Sequence, residues 1–181
     1  FVNIQSREKC KEILNIFIDK NINNILVEEF IKGKDFRILC YKDTVLDVIE
    51  RVPPFVVGDG ENNINNLVKN KNSKSKKGMH SIKINKQYLS ENGYNSNSVL
   101  EKNKKIVVNP ASNFHNGGYP RRVPLDIVHQ DNLSMFSKIN KLLNLNLSGI
   151  DCLIPDITKS YKEVGGAINE VNKFPNFDIH Y

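Results

Sequence analysis

No apolar run in this 181-residue chain comes near the ~20 residues that a membrane-spanning helix needs. The longest, such as CLI and IVV, are a fraction of that, so the sequence predicts no transmembrane segment and no membrane partner. FVNIQSREKC places polar and charged groups where the core of a signal peptide would stand, so no leader is expected in this stretch. A cytoplasmic location is the resulting expectation. Cysteine is sparse: Cys10, Cys40 and Cys152 are odd in number, far apart and set among apolar neighbours. That pattern has no metal-ligand spacing and suits reduced, buried thiols. Acidic residues are in deficit, 20 Asp and Glu against 26 Lys and Arg, for a net charge of +6. Much of the excess falls in KNKNSKSKKG, 69 to 78, whose low apolar content reads as a mobile, projecting loop. No aromatic residue stands between its lysines to stack on bases, which argues against specific nucleic-acid binding.

What is present is the composition of a globular protein, 39% hydrophobic and 25% charged, at a length that suits one well-buried domain or two small lobes sharing a cleft. A chain that starts at Phe1 instead of Met reads as a piece of something larger. SREKCKEILNIFIDK has a capping serine, Ser6, and Cys10, Ile13, Leu14 and Phe17 at helical spacing, so a helix is expected with one face on a sheet. NNILVEEFI reads as a strand. FRILCYKDTVLDVIERV reads as a hairpin about Lys42, Asp43 and Thr44, with Phe36, Ile38 and Cys40 on one face and Arg37, Leu39 and Tyr41 on the other. In VVGDGENNINNLVKN a glycine turn leads into a short helix capped by Asn62 or Asn63, with Ile64, Leu67 and Val68 inward. HSIKINKQYLSENGY suggests a short helical hairpin arm ended by Gly93, and KKIVVNP a strand stopped by Pro110. DNLSMFSKINKLLNL carries an apolar stripe of Leu133, Phe136, Ile139, Leu142 and Leu143, and predicts a helix. LSGIDCLIPD then reads as a strand with Ile150, Cys152 and Ile154 on its apolar face. Strands and helices without strict alternation and without internal repeats indicate an α+β fold.

Two stretches carry chemistry. In GGAINEVNKFP, 165 to 175, Glu170 and Asn172 stand two apart, so on an extended strand their oxygens leave by one face. Asp151 interrupts an apolar strand, where a charge must be paired or coordinate a metal. An Asp on one strand and Glu-x-Asn on the next, with a proline three beyond, resembles the metal-binding signature of the ATP-grasp ligases. VEEFIKGKDFRILC, ERVPPFVVGDG, ASNFHNGG, VHQDN and GIDCLIPDIT followed by GGAINEVNKFPNF extend the likeness from Val27 to Tyr181. Together they resemble the ATP-grasp region of cyanophycin synthetase, and also the glutathione synthetase half of the bifunctional glutathione enzyme. The PDIT and GGAINEVN stretches favour the cyanophycin type. Asn109 and Pro110 stand where that type usually carries basic residues, and YPRRVP departs from it after Gly118.

The resemblance implies an α+β ATP-grasp fold with a mixed or antiparallel sheet and packed helices. Residues 1 to 31 would be the end of the N-terminal lobe with the hinge, and residues 32 to 181 the C-terminal lobe. It implies ATP and Mg2+ as cofactors, and as substrates a small amino acid and a peptide-like carboxylate. The metal would be held by Asp151, Glu170 and Asn172, and adenine would pair with the backbone of Glu28, Glu29, Phe30 and Ile31. Asp35 would meet the ribose. Arg51 and Arg37 would be catalytic, stabilising phosphoryl charge, while Asn113, Gly117 and Gly118 would bind substrate or phosphate. His80, His115, His129 and His180 have no ligand-like spacing and read as structural. The expected activity is amide formation through an acylphosphate, with a glutathione synthetase-type ligase as the alternative. A non-catalytic nucleotide- or nucleic-acid-binding module is the alternative of another class. With the remainder of the N-terminal lobe expected before Phe1, the chain alone is expected to be inactive.

Overall fold

The structure, a computed structural model, describes residues 4–75, 80–177 and 180. It comprises two compact units, Phe1–Lys32 and Gly33–Tyr181. In the first, helix α1 (Arg7–Asp19) starts where the sequence predicts, with the Ser6 side chain accepting from the Lys9 amide at 3.0 Å. Its buried residue is Ile13. The expected strand over 23 to 31 does not form, and the described residues of this unit contain no sheet for α1 to pack on. Apolar alternation supplies a face for a strand, but a strand exists only where a neighbour takes its backbone hydrogen bonds, and here none does. Leu26 and Val27 accordingly stand 81% and 84% exposed.

The second unit is built on a five-stranded, fully antiparallel sheet. Strands β1 (Lys34–Tyr41) and β2 (Thr44–Val52) form the predicted hairpin, and Lys42, with φ of +52°, turns the chain. Two short strands, β3 (Phe55–Val57) and β4 (Lys105–Val107), pair separately. The turn-rich stretch after Gly118 contains a strand that the sequence reading missed, β5 (Tyr119–Arg122), which pairs with β2. Then come β6 (Leu147–Ile154) and β7 (Ala167–Asn172), giving the order β5-β2-β1-β6-β7. Phe36, Ile38, Cys40, Val48, Ile150, Cys152 and Ile154 share one face and are buried against Phe136 of α4 (Gln130–Leu142). A smaller core gathers Val56, Ile64, Val68, Leu89, Leu100 and Val108 around α2 (Ile64–Ser73) and α3 (Lys86–Glu91).

Three expectations change. The loop over 69 to 78 is helical as far as Ser73, because α2, capped by Asn63, continues through it. Lys71 donates to the Phe55 carbonyl at 2.9 Å, and Asn72 exchanges two hydrogen bonds with the Ile82 backbone, so the polar turn has fixed partners. Residues 76 to 78 lie outside the described residues. In α4 the stripe ends early: Leu142 is 84% exposed and Leu143 half exposed, while Asn132 and Asn140 are fully buried. Each asparagine substitutes for missing backbone partners. Asn140 donates to the carbonyls of Lys42 and Leu145 and accepts from Ser148, joining the hairpin turn, the end of α4 and the start of β6. Asn132 does the same for the Ile157 and Lys159 carbonyls and the Tyr161 amide. Finally, the expected helical hairpin before Gly93 is the single short helix α3.

Asn140→Ala is expected to lower stability by about 2 kcal/mol, since it leaves the buried Ser148 hydroxyl without this partner and removes the donor to two part-buried carbonyls. Urea unfolding of the variant measures this. Burial pushes the Cys40 thiol up to about 12 and raises Cys152 as well, whereas Cys10 is exposed. The thiolate is the reactive form. Ellman's reagent at pH 8 should therefore titrate Cys10 in the native chain and reach the other two after denaturation.

Candidate functional site

The sheet face opposite α4 holds the charges, and the strand register decides which of them meet. Across β1 and β2, Asp35 pairs with Arg51; across β1 and β6, Arg37 pairs with Asp151. All four belong to the set that buries its apolar neighbours on the other side. Arg51 donates through Nε and Nη2 to Asp35 Oδ1 at 3.0 and 2.6 Å, and its Nη2 lies 3.4 Å from Asp151 Oδ1. Arg37 Nη2 donates to Asp151 Oδ2 at 3.0 Å, and its Nε touches Oδ1. Two cations and two anions thus close a chain, Arg37–Asp151–Arg51–Asp35. Its far end is held by Ser112, whose hydroxyl donates to Asp35 Oδ2. Ser112 escaped the sequence reading; it lies inside the ASNFHNGG stretch, yet its partner is 77 residues away.

The electrostatics follow from partial burial. Burial works against the charge on Arg51, but its hydrogen bond to Asp35 and the nearness of Asp35 and Asp151 outweigh this and raise its pKa. For Asp151 burial is the largest influence and pushes the carboxyl above the usual carboxylate range, while Arg51 and Arg37 pull it back. Asp151 Oδ1 is buried and, although in ion-pair contact with both arginines, accepts no hydrogen bond among the described residues.

Glu170 and Asn172 enter beside this chain through a β-bulge. Asp151 pairs with Glu170 and Gly149 with Asn172, but Cys152 pairs with Ile168, so Asn169 is the additional residue. Side chains alternate along a strand, and one inserted residue shifts that alternation. Ile168 and Val171 therefore both pack on the main core, and Glu170 and Asn172 both take the face of Asp151. Glu170 is exposed and Asn172 half-buried. The three predicted metal ligands share a face and adjacent strands. Even so, no group of three or more His, Cys, Asp or Glu side chains able to hold a metal is gathered among the described residues. Asp151 presents its oxygens to arginines.

The remaining predicted residues have other surroundings. Glu28, Glu29, Phe30 and Ile31 lie in the irregular stretch of the first unit, the first three of them exposed. Asn113 caps a short 3-10 helix, Phe114–Asn116, by accepting from the Asn116 amide at 3.2 Å. The Gly117 and Gly118 amides donate to the Phe114 and Asn113 carbonyls, at 2.9 and 3.2 Å. Gly117 has φ of +86°, and a Cβ there would lie 2.5 Å from Ile82 Cα, so the turn itself requires glycine. Gly149 has the clearest bearing on the ion chain: a Cβ would lie 2.7 Å from Arg37 Nη1 and 2.8 Å from Pro175 Cβ.

Arg51→Met removes the guanidinium that donates twice to Asp35 Oδ1 and one of the two cations on Asp151. It is expected to cost about 2 kcal/mol, less than the roughly 3 to 5 of a fully buried pair because both side chains keep some contact with water. The double variant with Asp35→Asn should recover part of that loss in urea unfolding.

No family model matches the chain. Curated relatives do. It is 31% identical over 189 residues to the cyanophycin synthetase of Crocosphaera subtropica, an alignment covering 99% of this chain and 22% of that protein. It is 31% identical over 166 residues to the cyanophycin synthetase of a Synechocystis species, covering 87% of this chain and 19% of that one. The glutathione biosynthesis bifunctional protein GshAB of Clostridium perfringens is 29% identical over 184 residues, 97% of this chain and 23% of that protein. The chain thus spans about a fifth of the length of the curated relatives it matches. Among solved structures, a bifunctional glutathione synthetase from Pasteurella multocida superposes with a TM-score of 0.66 at 24% identity, over 82% of this chain and 21% of that one. No described helix is long and apolar enough to cross a membrane. The chain is thus similar over nearly its whole length to part of the cyanophycin synthetases and of the bifunctional glutathione proteins, and its α+β fold is the ATP-grasp fold.

Proposed function

We propose that this chain serves in an ATP-dependent carboxylate–amine ligase of the cyanophycin synthetase type, in a cytoplasmic setting. A substrate carboxylate oxygen would attack the γ-phosphorus of ATP, giving an acylphosphate and ADP. An amine would then attack the acyl carbon, and phosphate would leave as the amide forms and the nitrogen loses a proton. The observation that carries the reading is the ion chain on the sheet face opposite α4, with Glu170 directly across the ladder from Asp151. Phosphoryl transfer asks a protein for placed charge more than for covalent chemistry.

Arg37 and Arg51 bring two guanidinium groups, fixed in orientation by Asp151 and Asp35, to where negative charge grows on the transferred group. Asp35 keeps the ribose role, held by Arg51 and Ser112. The backbone of Glu28, Glu29, Phe30 and Ile31, unused in any ladder, keeps the adenine role. Asn113, Gly117 and Gly118 shape the turn that carries Ser112, and through it the substrate side of the site. Asp151, Glu170 and Asn172 put oxygen donors on one face of adjacent strands, a donor chemistry that suits a magnesium ion, and these three would hold it. When bound, magnesium supplies positive charge against the phosphate oxygens. A glutathione synthetase-type ligase is the second reading, favoured by GshAB relatives that match nearly the whole of this chain.

The test is phosphate release from ATP with magnesium and an amino-acid mixture, using the protein of the relatives' length that carries this region. Asp151→Asn and Glu170→Gln should each lower turnover about 100-fold or more. An active protein indifferent to both substitutions would remove the metal assignment and the mechanism with it.

A further inference from the structure

The positive charge of this chain is unevenly placed. Residues 55 to 108 hold ten lysines, no arginine and four acidic residues, so this stretch alone accounts for a charge equal to the net +6 of the whole chain. It is the stretch that builds the smaller core, through β3, α2, α3 and β4. Among the described residues none of its lysines forms an ion pair with a carboxylate. Two are brought together on purpose-built supports. Lys71, in the last turn of α2, places Nζ 4.0 Å from the centre of the Phe55 ring and donates to the Phe55 carbonyl. Lys105, on β4, places Nζ 3.8 Å from the same centre. Burial, then the nearness of Lys105, lowers the Lys71 pKa, as two like charges without a counterion require. Lys104 lies over a different ring, its Nζ 5.7 Å from the centre of Tyr94.

We propose that β3, β4 and the last turn of α2 form a docking face for an acidic polypeptide, whose carboxylates bridge Lys71 and Lys105 above Phe55. Lys71 and Lys105 are exposed and come from two elements, α2 and β4, both over the Phe55 ring, which suits an extended chain of carboxylates. Nucleic acid is disfavoured by the same geometry, because the ring that would stack on a base already has two ammonium groups within 4.0 Å of its centre. The proposal is separate from the ligase reading and needs no nucleotide.

A fluorescein-labelled deca-glutamate peptide titrated with this chain at about 50 mM salt tests it by fluorescence anisotropy. The Lys71→Gln, Lys105→Gln double variant should weaken binding about tenfold or more, and the Lys71→Arg, Lys105→Arg variant should retain it. Lys9→Gln with Lys20→Gln removes the same charge elsewhere and should change affinity less than about twofold. Circular dichroism and a thermal melt establish that each variant is folded. Peptide binding indifferent to the first double variant, an equal loss in the second, or oligothymidylate binding more tightly than the peptide would each overturn the proposal.

Discussion

Asp151 sits on an interior strand and is only 4% exposed, and the second unit is arranged so that this charge is never alone. It needs β1 on one side to supply Arg37, β2 beyond that to supply Arg51, and β7 on the other side to supply a polar neighbour in Glu170. A slip of one residue in either ladder would move Asp151 or an arginine to the face that holds Phe36, Ile38 and Ile150. The apolar core and the ion chain therefore specify the same register from opposite sides of one sheet. The charges cancel in pairs, so the face carries strong local fields with little net charge of its own.

Connections are tied down by amides acting as spare backbone. Asn140, Asn132, Asn72 and Asn109 each bond to main-chain groups in segments distant in sequence, and Asn63 and Asn85 cap helices. An asparagine-rich composition thus contributes to the fold at many points where a loop meets an element, and the interior polar positions of α4 are fully used.

Local signals were legible in the sequence. The hairpin, the Ser6 and Asn63 caps, the apolar faces of β1 and β6 and the oddity of Asp151 all follow from short-range spacing. What was not legible depends on partners far away in the chain. The stretch 23 to 31 has the pattern of a strand but no neighbour to pair with. Ser112 reveals itself only when Asp35 lies beside it, and the arginine partners of Asp151 only when β1, β2 and β6 are in register. Asn132 and Asn140 break the apolar stripe of α4 because polarity predicts exposure, and only a surrounding set of unpaired carbonyls reverses that. The Asn169 bulge leaves no mark on composition either; alternation without it would have turned Val171 outward.

The two borders of the five-stranded sheet are unlike each other. At β5, Pro120 offers no N–H, and the guanidinium groups of Arg121 and Arg122 stand well exposed, a combination that discourages a further strand from adding. At β7 the outermost residues include Glu170 but no proline within Ala167–Asn172. Lateral growth of this sheet is thus biased to one side, and any extended segment that joined it there would be laid next to the carboxylate facing Asp151. Edge chemistry thereby couples the addition of a strand to the face of the ion chain, where an additional strand would have to meet a negative side chain on arrival.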